Sequence, residues 1–286
     1  MPHVLILSSL VAGSRVGGRV SAAALEARGI DTSFCPTVLM GRHPGHGKPG
    51  GGPVPDEQFG AMLEGLAAHG LFGLFDAVLT GYFASAGQVE IAAAAIAEIR
   101  KAPRRRGDAK AFSERPLIVI DPIIGDRGAL YVDDRVANAV RDQLVPLADI
   151  ITPNAFELGW LAGQPVDSPA GFLSAANRAA PVTFMTSARF GDRFGTAYHA
   201  SGHAALAAHA ELETVPNGTG DLFAGELLGE LILGTAPGDA FETAVRHTLD
   251  AALKARDWNA FELPDISARR HKLHAEAVID LQPLKA

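Results

Sequence analysis

Short apolar runs alternate along the chain with longer stretches in which apolar residues return every three or four positions. Val4–Ser8 reads as a buried strand, Gly18–Arg28 as a helix closed by Gly29, and Thr32–Leu39 as a second strand. Asp56–Gly70 predicts a helix with Phe59, Leu63 and Leu66 on one face. Then come a strand over Asp76–Thr80, a helix over Ser85–Arg100, and a strand over Leu117–Asp121, whose near-continuous β-branched residues suit a parallel sheet covered on both faces. The pattern continues with helix Asp134–Val145, strand Asp149–Thr152 and helix Ala155–Leu161. Val182–Thr186, Phe194–Tyr198 and Leu212–Val215 read as strands, and Leu222–Leu233, Ala236–Ala255 and Ser267–Ala275 as helices.

This order predicts an α/β fold, a central mostly parallel sheet with helices on both faces, taken as one domain over residues 1–286. Ligands of such sheets bind beyond the carboxyl ends of the strands. Ser9, Gly81-Tyr82, Asp121 and Thr152-Pro153-Asn154 each follow directly on a predicted strand, so the candidate chemistry collects at one end. His43–Pro53 is too rich in glycine and proline for regular structure, and residues 41–55 are expected to form a lid-like loop.

Composition narrows the classes. The chain has 286 residues, 48% hydrophobic and 20% charged, as in ordinary globular proteins, and its formal net charge of -7 argues against nonspecific nucleic-acid binding. A single cysteine, Cys35, excludes an intramolecular disulfide, and its apolar neighbours Phe34, Val38 and Leu39 mark it as a buried hydrophobe. The apolar run at the N-terminus is short and lacks a cationic start, so it reads as a strand rather than a signal peptide. With no long apolar stretch, the expectation is a cytoplasmic protein with no membrane partner.

The richest stretch is Pro216-Asn217-Gly218-Thr219-Gly220-Asp221, running into an apolar helix. A glycine-rich turn at a helix start exposes N–H groups that suit an anion. Asp221 would repel that anion, which makes sense if it takes a proton from an attacking hydroxyl while the N–H groups hold a phosphoryl group. Asp121-Pro122-Ile123-Ile124-Gly125-Asp126 ends a strand in a sharp turn, with Asp121 placed either to hold Mg²⁺ near ATP phosphates or to accept hydrogen bonds in the turn. Asn154 and Glu157 have capping-box spacing, so Glu157 reads as a helix cap or as part of a nucleotide–metal region. His43 and His46 are too few for a metal site without further ligands. Arg104-Arg105-Arg106, in the insertion Lys101–Pro116, reads as a solvated loop rather than an anion patch, and Gly17-Gly18 as a tight helix start or a close approach to a ligand. No Walker loop and no G-x-S-x-G elbow occurs.

Ser8-Ser9-Leu10-Val11-Ala12-Gly13, Leu79–Ser85, Asp121–Asp126, Thr152–Leu158 and Gly218–Asp221 together resemble the ribokinase-like superfamily, most of all its pyridoxal kinases, in order over about residues 3 to 255. The resemblance implies an ATP-dependent kinase that phosphorylates the 5′-hydroxymethyl group of pyridoxal, pyridoxine or pyridoxamine. It implies Asp221 as the base, and the N–H groups of Gly218, Thr219 and Gly220 on the transferred phosphoryl. Asp121 and Glu157 would organise Mg²⁺, with K⁺ near Asp121 and Thr152. Thr152, Asn154, Glu157, Thr186 and Ser187 would lie at the ATP. Ser9, Val11, Gly18, His43, Gly45, His46 and Tyr82 would lie at the vitamin. A homodimer is also implied. A hydroxymethylpyrimidine kinase and a non-catalytic vitamin B6-binding protein are the competing readings.

Overall fold

The computed structural model describes residues 1–103, 115–260, 262–264 and 273–285. In chain order its elements are β1 (His3–Val11), α1 (Gly18–Glu26), β2 (Asp31–Met40), β3 (Gly51–Pro53), α2 (Asp56–Ala68), β4 (Ala77–Thr80), α3 (Ala86–Lys101), β5 (Leu117–Ile120), β6 (Gly125–Asp126) and β7 (Ala129–Leu130). The second half contributes α4 (Asp134–Ala139), β8 (Ile150–Ile151), α5 (Ala155–Ala162), α6 (Pro169–Ala179), β9 (Val182–Phe190), β10 (Arg193–Ala200), β11 (His203–Ala208), α7 (Thr219–Ile232), α8 (Pro237–Asp257) and β12 (Asp280–Pro283).

Ten strands form one sheet in the order β12-β11-β10-β9-β8-β5-β4-β1-β2-β3, and β6 and β7 form a separate hairpin. The run from β9 to β2 is parallel; β3 and β10–β12 extend it with antiparallel edges. From β1 the chain passes to β2 on one side and to β4 on the other, so strand order reverses there, the place where open α/β sheets bind ligands. One face is covered by α2–α6, with Phe59, Val89, Ile96, Leu158 and Phe172 in its core. On the other, α1, α7 and α8 bury Leu25, Phe223, Leu227, Leu228 and Phe241. Phe184 of β9 anchors this second layer, its ring 5.0 Å from Tyr198 and 5.5 Å from Phe241.

α7 is buried from Leu222 to Gly229 because the sheet, α1 and α8 enclose it. A Cβ on Gly225 would lie 2.9 Å from Ser21 Cα, and one on Gly229 would lie 2.5 Å from Arg28 Cδ, so these glycines let α1 approach closely. Arg28, 2% exposed at its side chain, crosses that seam. It pairs with Glu226 and, at 2.9 Å, with Glu230, and His247 Nδ1 lies 2.7 Å from the same Glu226 carboxylate.

Several expectations change. The glycine- and proline-rich loop holds regular structure after all: a 3₁₀ turn at Pro44–His46 and the edge strand β3. Leu212–Val215 is not a strand; the third antiparallel strand is the alanine-rich β11, whose weak alternation hid it. The helix expected over Asp134–Val145 is α-helical only to Ala139 and then widens into π geometry over Val140–Leu144. α6, capped by Ser168 with Pro169 at its first turn, the β6–β7 hairpin and β12 fall where the pattern predicts no element. Of Ser267–Ala275, residues 267–272 lie outside the described residues and 273–275 are not helical. Arg104, Arg105 and Arg106 also lie outside the described residues.

Candidate active site

A cleft of about 1030 Å³ opens at the carboxyl ends of β1, β4, β5, β8 and β9. α7 begins at its floor. Gly218, at φ 91, is the N-cap, with no side chain to cover the first amides of the helix. A Cβ there would meet Arg15 O at 2.5 Å, so only glycine lets the chain pass beneath the β1–α1 loop. Thr219, Gly220 and Asp221 complete the first turn and line the cleft. Their amides have no intrahelical partner and the helix dipole adds positive potential, so this turn can hold a phosphoryl group.

Asp221 is half-buried, and Gly17 N–H donates to its Oδ2 at 2.9 Å. The Ser21 hydroxyl donates to its main-chain carbonyl at 2.9 Å, tying α1 to the first turn of α7. Burial pushes the carboxyl up to about 6, opposed by the N–H groups of Gly17 and of Asp221 itself. A carboxylate titrating there holds a useful fraction of base at neutral pH and keeps enough basicity to accept a proton.

Two further carboxylates stand deeper. Asp121, at the end of β5, is buried and accepts the Thr152 hydroxyl at 2.9 Å. Burial, then the charges of Asp221 and Glu157, hold it well above the ordinary range, against the pull of Thr152. Glu157 is also buried. Both readings of Glu157 meet in one side chain. It completes a capping box with Asn154. Its Oε2 accepts Asn154 N–H at 2.8 Å, while Oε1 accepts Ile124 N–H at 3.0 Å and Gly125 N–H at 3.3 Å. Burial outweighs these donors and pushes Glu157 up to about 8. No cationic side chain is bonded to either carboxylate among the described residues. Nor do any three His, Cys, Asp or Glu side chains there converge as a closed metal cage. That donor set suits Mg²⁺, which takes one or two carboxylates and keeps waters and phosphate oxygens for the rest.

Asn154 Nδ2 donates to Gly125 O at 2.8 Å and so ties α5 to the β6–β7 hairpin. Gly125 serves close approach rather than backbone freedom, since a Cβ would lie 2.3 Å from the Phe156 ring. Thr186 continues β9 past Pro153 O, and Ser187 beside it takes a left-handed φ of 54, which turns the strand at the cleft wall. Both line the cleft. A smaller apolar recess of about 130 Å³, walled by Phe223, Val245, Leu249 and Ala252, shares them and opens beside Gly220.

At the opposite end Ser9, Val11, Tyr82 and His43 line the cleft with Val38 and Met40. β2 carries one more residue than β1 opposite Ser9, so register shifts there. Thr37 and Val38 are consequently both buried. His43 Nδ1 accepts Gly45 N–H at 3.1 Å and lies 3.3 Å from Asn217 Nδ2, which joins the lid to the loop before α7. Burial, with the neighbouring His46, lowers the His43 pKa, against the charge of Glu262.

Three expected residues are not on the cleft wall. Gly18 is buried against Phe34, where a Cβ would lie 2.3 Å from the ring, and Gly17 lines the cleft instead. Gly45 sits behind the His43 ring, and His46 turns away to Glu262, 3.1 Å distant. Sequence reasoning missed Tyr131 and the hairpin turn Arg127-Gly128, which face the cleft through the β6–β7 pair. The Asp-Arg-Gly turn was the available signal, since Arg127 and Gly128 both take positive φ. It also missed Arg189, which pairs with Glu211 and lies 5.3 Å from the Phe194 ring centroid.

The profile of the phosphomethylpyrimidine kinase family matches residues 107–264. The chain is 33% identical over 284 residues to the pyridoxine/pyridoxal/pyridoxamine kinase of Bordetella avium, covering 96% of this chain and 92% of that one. It is 31% identical over 243 residues to a pyridoxal kinase of Rubrobacter xylanophilus, covering 81% and 80%. Among solved structures, the pyridoxal kinase of Leishmania donovani in complex with ADP and pyridoxamine superposes with a TM-score of 0.85 at 30% identity, covering 99% of each chain.

Proposed function

From its membership of the pyridoxal kinase family, a branch of the ribokinase-like superfamily, we propose that this chain transfers the γ-phosphoryl group of ATP to the 5′-hydroxymethyl oxygen of a B6 vitamer with Asp221 as the base. The chain is a kinase of vitamin B6. The observation that carries the mechanism is the position of Asp221, a carboxylate on the first turn of α7 beside the open amides of Gly218–Gly220.

Ser9, Val11 and Tyr82 form the wall against which the pyridine ring lies, with His43 and the lid above it. Gly17 holds Oδ2 of Asp221, and the remaining acceptor capacity of the carboxylate serves the substrate hydroxyl. Asp221 removes that proton as the oxygen attacks in line, and the Thr219 and Gly220 amides take up the charge spreading over the transferred group. The triphosphate runs past Thr152, Asn154, Thr186 and Ser187, and the adenine enters the apolar recess beside Phe223 and Leu249. Asp121 and Glu157 are the residues that would hold Mg²⁺ and its waters, and Mg²⁺ neutralises phosphate charge when bound. K⁺ near Asp121 and Thr152 and assembly as a homodimer rest on the family resemblance. ADP release with and without K⁺, and light scattering, test them.

A second reading has one observation in its favour, the match of residues 107–264 to the phosphomethylpyrimidine kinase profile. Coupled ADP-release assays with pyridoxal, pyridoxine, pyridoxamine and hydroxymethylpyrimidine decide between them. The expected result is the highest kcat/KM on a B6 vitamer and loss of turnover in Asp221→Asn. A pyrimidine preference, or near-wild-type turnover in the variant, overturns the corresponding part. Vitamer binding by calorimetry with no ADP formed would establish a non-catalytic binding protein instead.

A further inference from the structure

Residues 262–264, which follow α8, carry no motif, yet Glu262 contacts two loops that border the cleft. Glu262 Oε2 accepts the backbone N–H of Arg15 at 3.1 Å, and its Oε1 lies 3.1 Å from His46 Nε2. The Arg15 guanidinium donates to Leu263 O at 3.0 Å. Leu263 is 1% exposed and packs with Val20, Ala24, Leu222 and Ala251, so the segment is rooted between α1, α7 and α8. One carboxylate on a fixed backbone therefore takes a contact from each of two loops far apart in sequence.

Those loops flank the vitamer end. Arg15 leads through Val16 to Gly17, whose N–H holds Asp221, and the Arg15 carbonyl lies over Gly218. His46 ends the 3₁₀ turn of the lid, whose first residue flank, His43, lines the cleft beside Asn217. An ordinary exposed ion pair contributes little because its side chains are free to leave. Here the carboxylate accepts a backbone donor and is only 29% exposed at its side chain, so letting go strands a peptide N–H as well as a charge.

We propose that Glu262 is a positioning residue that clasps the β1–α1 loop to the lid and so holds the vitamer end of the cleft in its binding shape. It touches neither substrate nor reacting atoms. The inference rests on the proposed placement of the vitamer beside Ser9, Tyr82 and His43. It predicts an effect on vitamer binding more than on ATP binding or on turnover.

The test compares Glu262→Ala and Glu262→Gln with the wild type in the full chain, by amide hydrogen exchange and by steady-state kinetics. In Glu262→Ala, exchange should quicken in both residues 12–17 and residues 41–50 while the sheet strands keep their protection. The KM for pyridoxal should rise about threefold to tenfold, with kcat and the KM for ATP within about twofold. Glu262→Gln keeps an oxygen for Arg15 N–H, so it should restore slow exchange in 12–17 and most of the vitamer affinity. Unchanged exchange in either loop, or equal rises in both KM values, overturns the clasp. If Glu262→Ala loses protection throughout, the Gln variant decides by the same two readouts. If the wild type phosphorylates no vitamer, the functional reading fails, and the exchange data still decide whether Glu262 joins the loops.

Discussion

Gly17 N–H points at Asp221 Oδ2 from 2.9 Å, out of a backbone at φ 60, ψ -148 that L side chains rarely adopt. A Cβ at Gly17 would lie 2.1 Å from Ser9 Oγ. Gly17→Ala should therefore cost about 2–4 kcal/mol of stability, from strain and overpacking together. It should also move the acid limb of kcat/KM to higher pH, because the donor it displaces favours the ionised form of Asp221. Urea unfolding and a pH–rate profile check both. A profile that stays in place would mean that Gly17 does not tune the base.

Asp221 gives a prediction in which activity and stability part company. As the proposed base it must be ionised, so kcat/KM, corrected for substrate ionisation, should fall about tenfold per unit below pH of about 6. Asp221→Asn should lower kcat by about 10²–10⁴. Its carboxyl is raised from 3.8 to about 6 in the folded protein. The folded state thus binds the proton more tightly than the unfolded chain, and stability declines as pH rises from about 4 through 6. Asp221→Asn removes that penalty while keeping an oxygen for Gly17 N–H. It should be more stable than wild type by about 1–3 kcal/mol at pH 8, with the gain vanishing toward pH 4. Equal melting curves at pH 8 would refute the assignment.

Glu157 and Asp121 yield a calorimetric test. Glu157 is pushed up to about 8, so it carries a proton for much of the time near neutrality, and burial raises Asp121 in the same direction. A divalent cation favours the ionised forms of both and expels the proton that Glu157 carries. Adding Mg²⁺ to the ATP complex at pH 7.5, in buffers of different ionisation enthalpy, should show net proton release. The release should shrink in Glu157→Gln. Proton uptake would count against placing the cation between them.

The Arg28 cluster tests the scaffold rather than the chemistry. Arg28→Met takes the shared guanidinium from buried Glu226 and half-buried Glu230. The expected loss is about 3–5 kcal/mol, with partial recovery when Glu226→Gln is added. Denaturant midpoints measure it. A loss below about 1 kcal/mol would show that water or His247 replaces the guanidinium.

The sequence made the parallel half of the sheet legible because its strands are compact apolar runs that meet a polar residue at the cleft: Asp121 just after β5, Thr152 just after β8, and Ser9 inside β1, which runs on to Val11 beyond the expected end at Ser8. The antiparallel edge was less legible: β11 is HAALAA, which periodicity cannot tell from a helix. The lid is poorly legible for a related reason. Glycine and proline forbid an α-helix, yet Pro44 suits a 3₁₀ turn and Gly51 suits an edge strand at φ 84. Gly17 and Gly18 look alike in the sequence and differ only in their surroundings: Gly18 packs on Phe34 and Gly17 on Ser9. The links from Glu262 to Arg15 and His46 span more than 200 residues, a separation that no local pattern encodes.

Gln88, fully buried at the first turn of α3, joins three separate stretches of the rim. Its Nε2 donates to Thr37 O at 2.9 Å and Val54 O at 2.7 Å, and its Oε1 accepts Ala84 N–H at 2.9 Å. Thr37 in turn donates to Tyr82 O at 2.6 Å. The extra residue of β2, the trailing end of the lid and the Tyr82 segment are riveted to one helix. β3 is itself paired with β2, so the stretch held neither by α3 nor by the sheet runs from Gly41 to Gly50. The cleft wall that carries Tyr82 and Val38 is therefore anchored through α3, whereas the wall that carries His43 depends on contacts from elsewhere in the chain, Asn217 beside His43 and Glu262 beside His46.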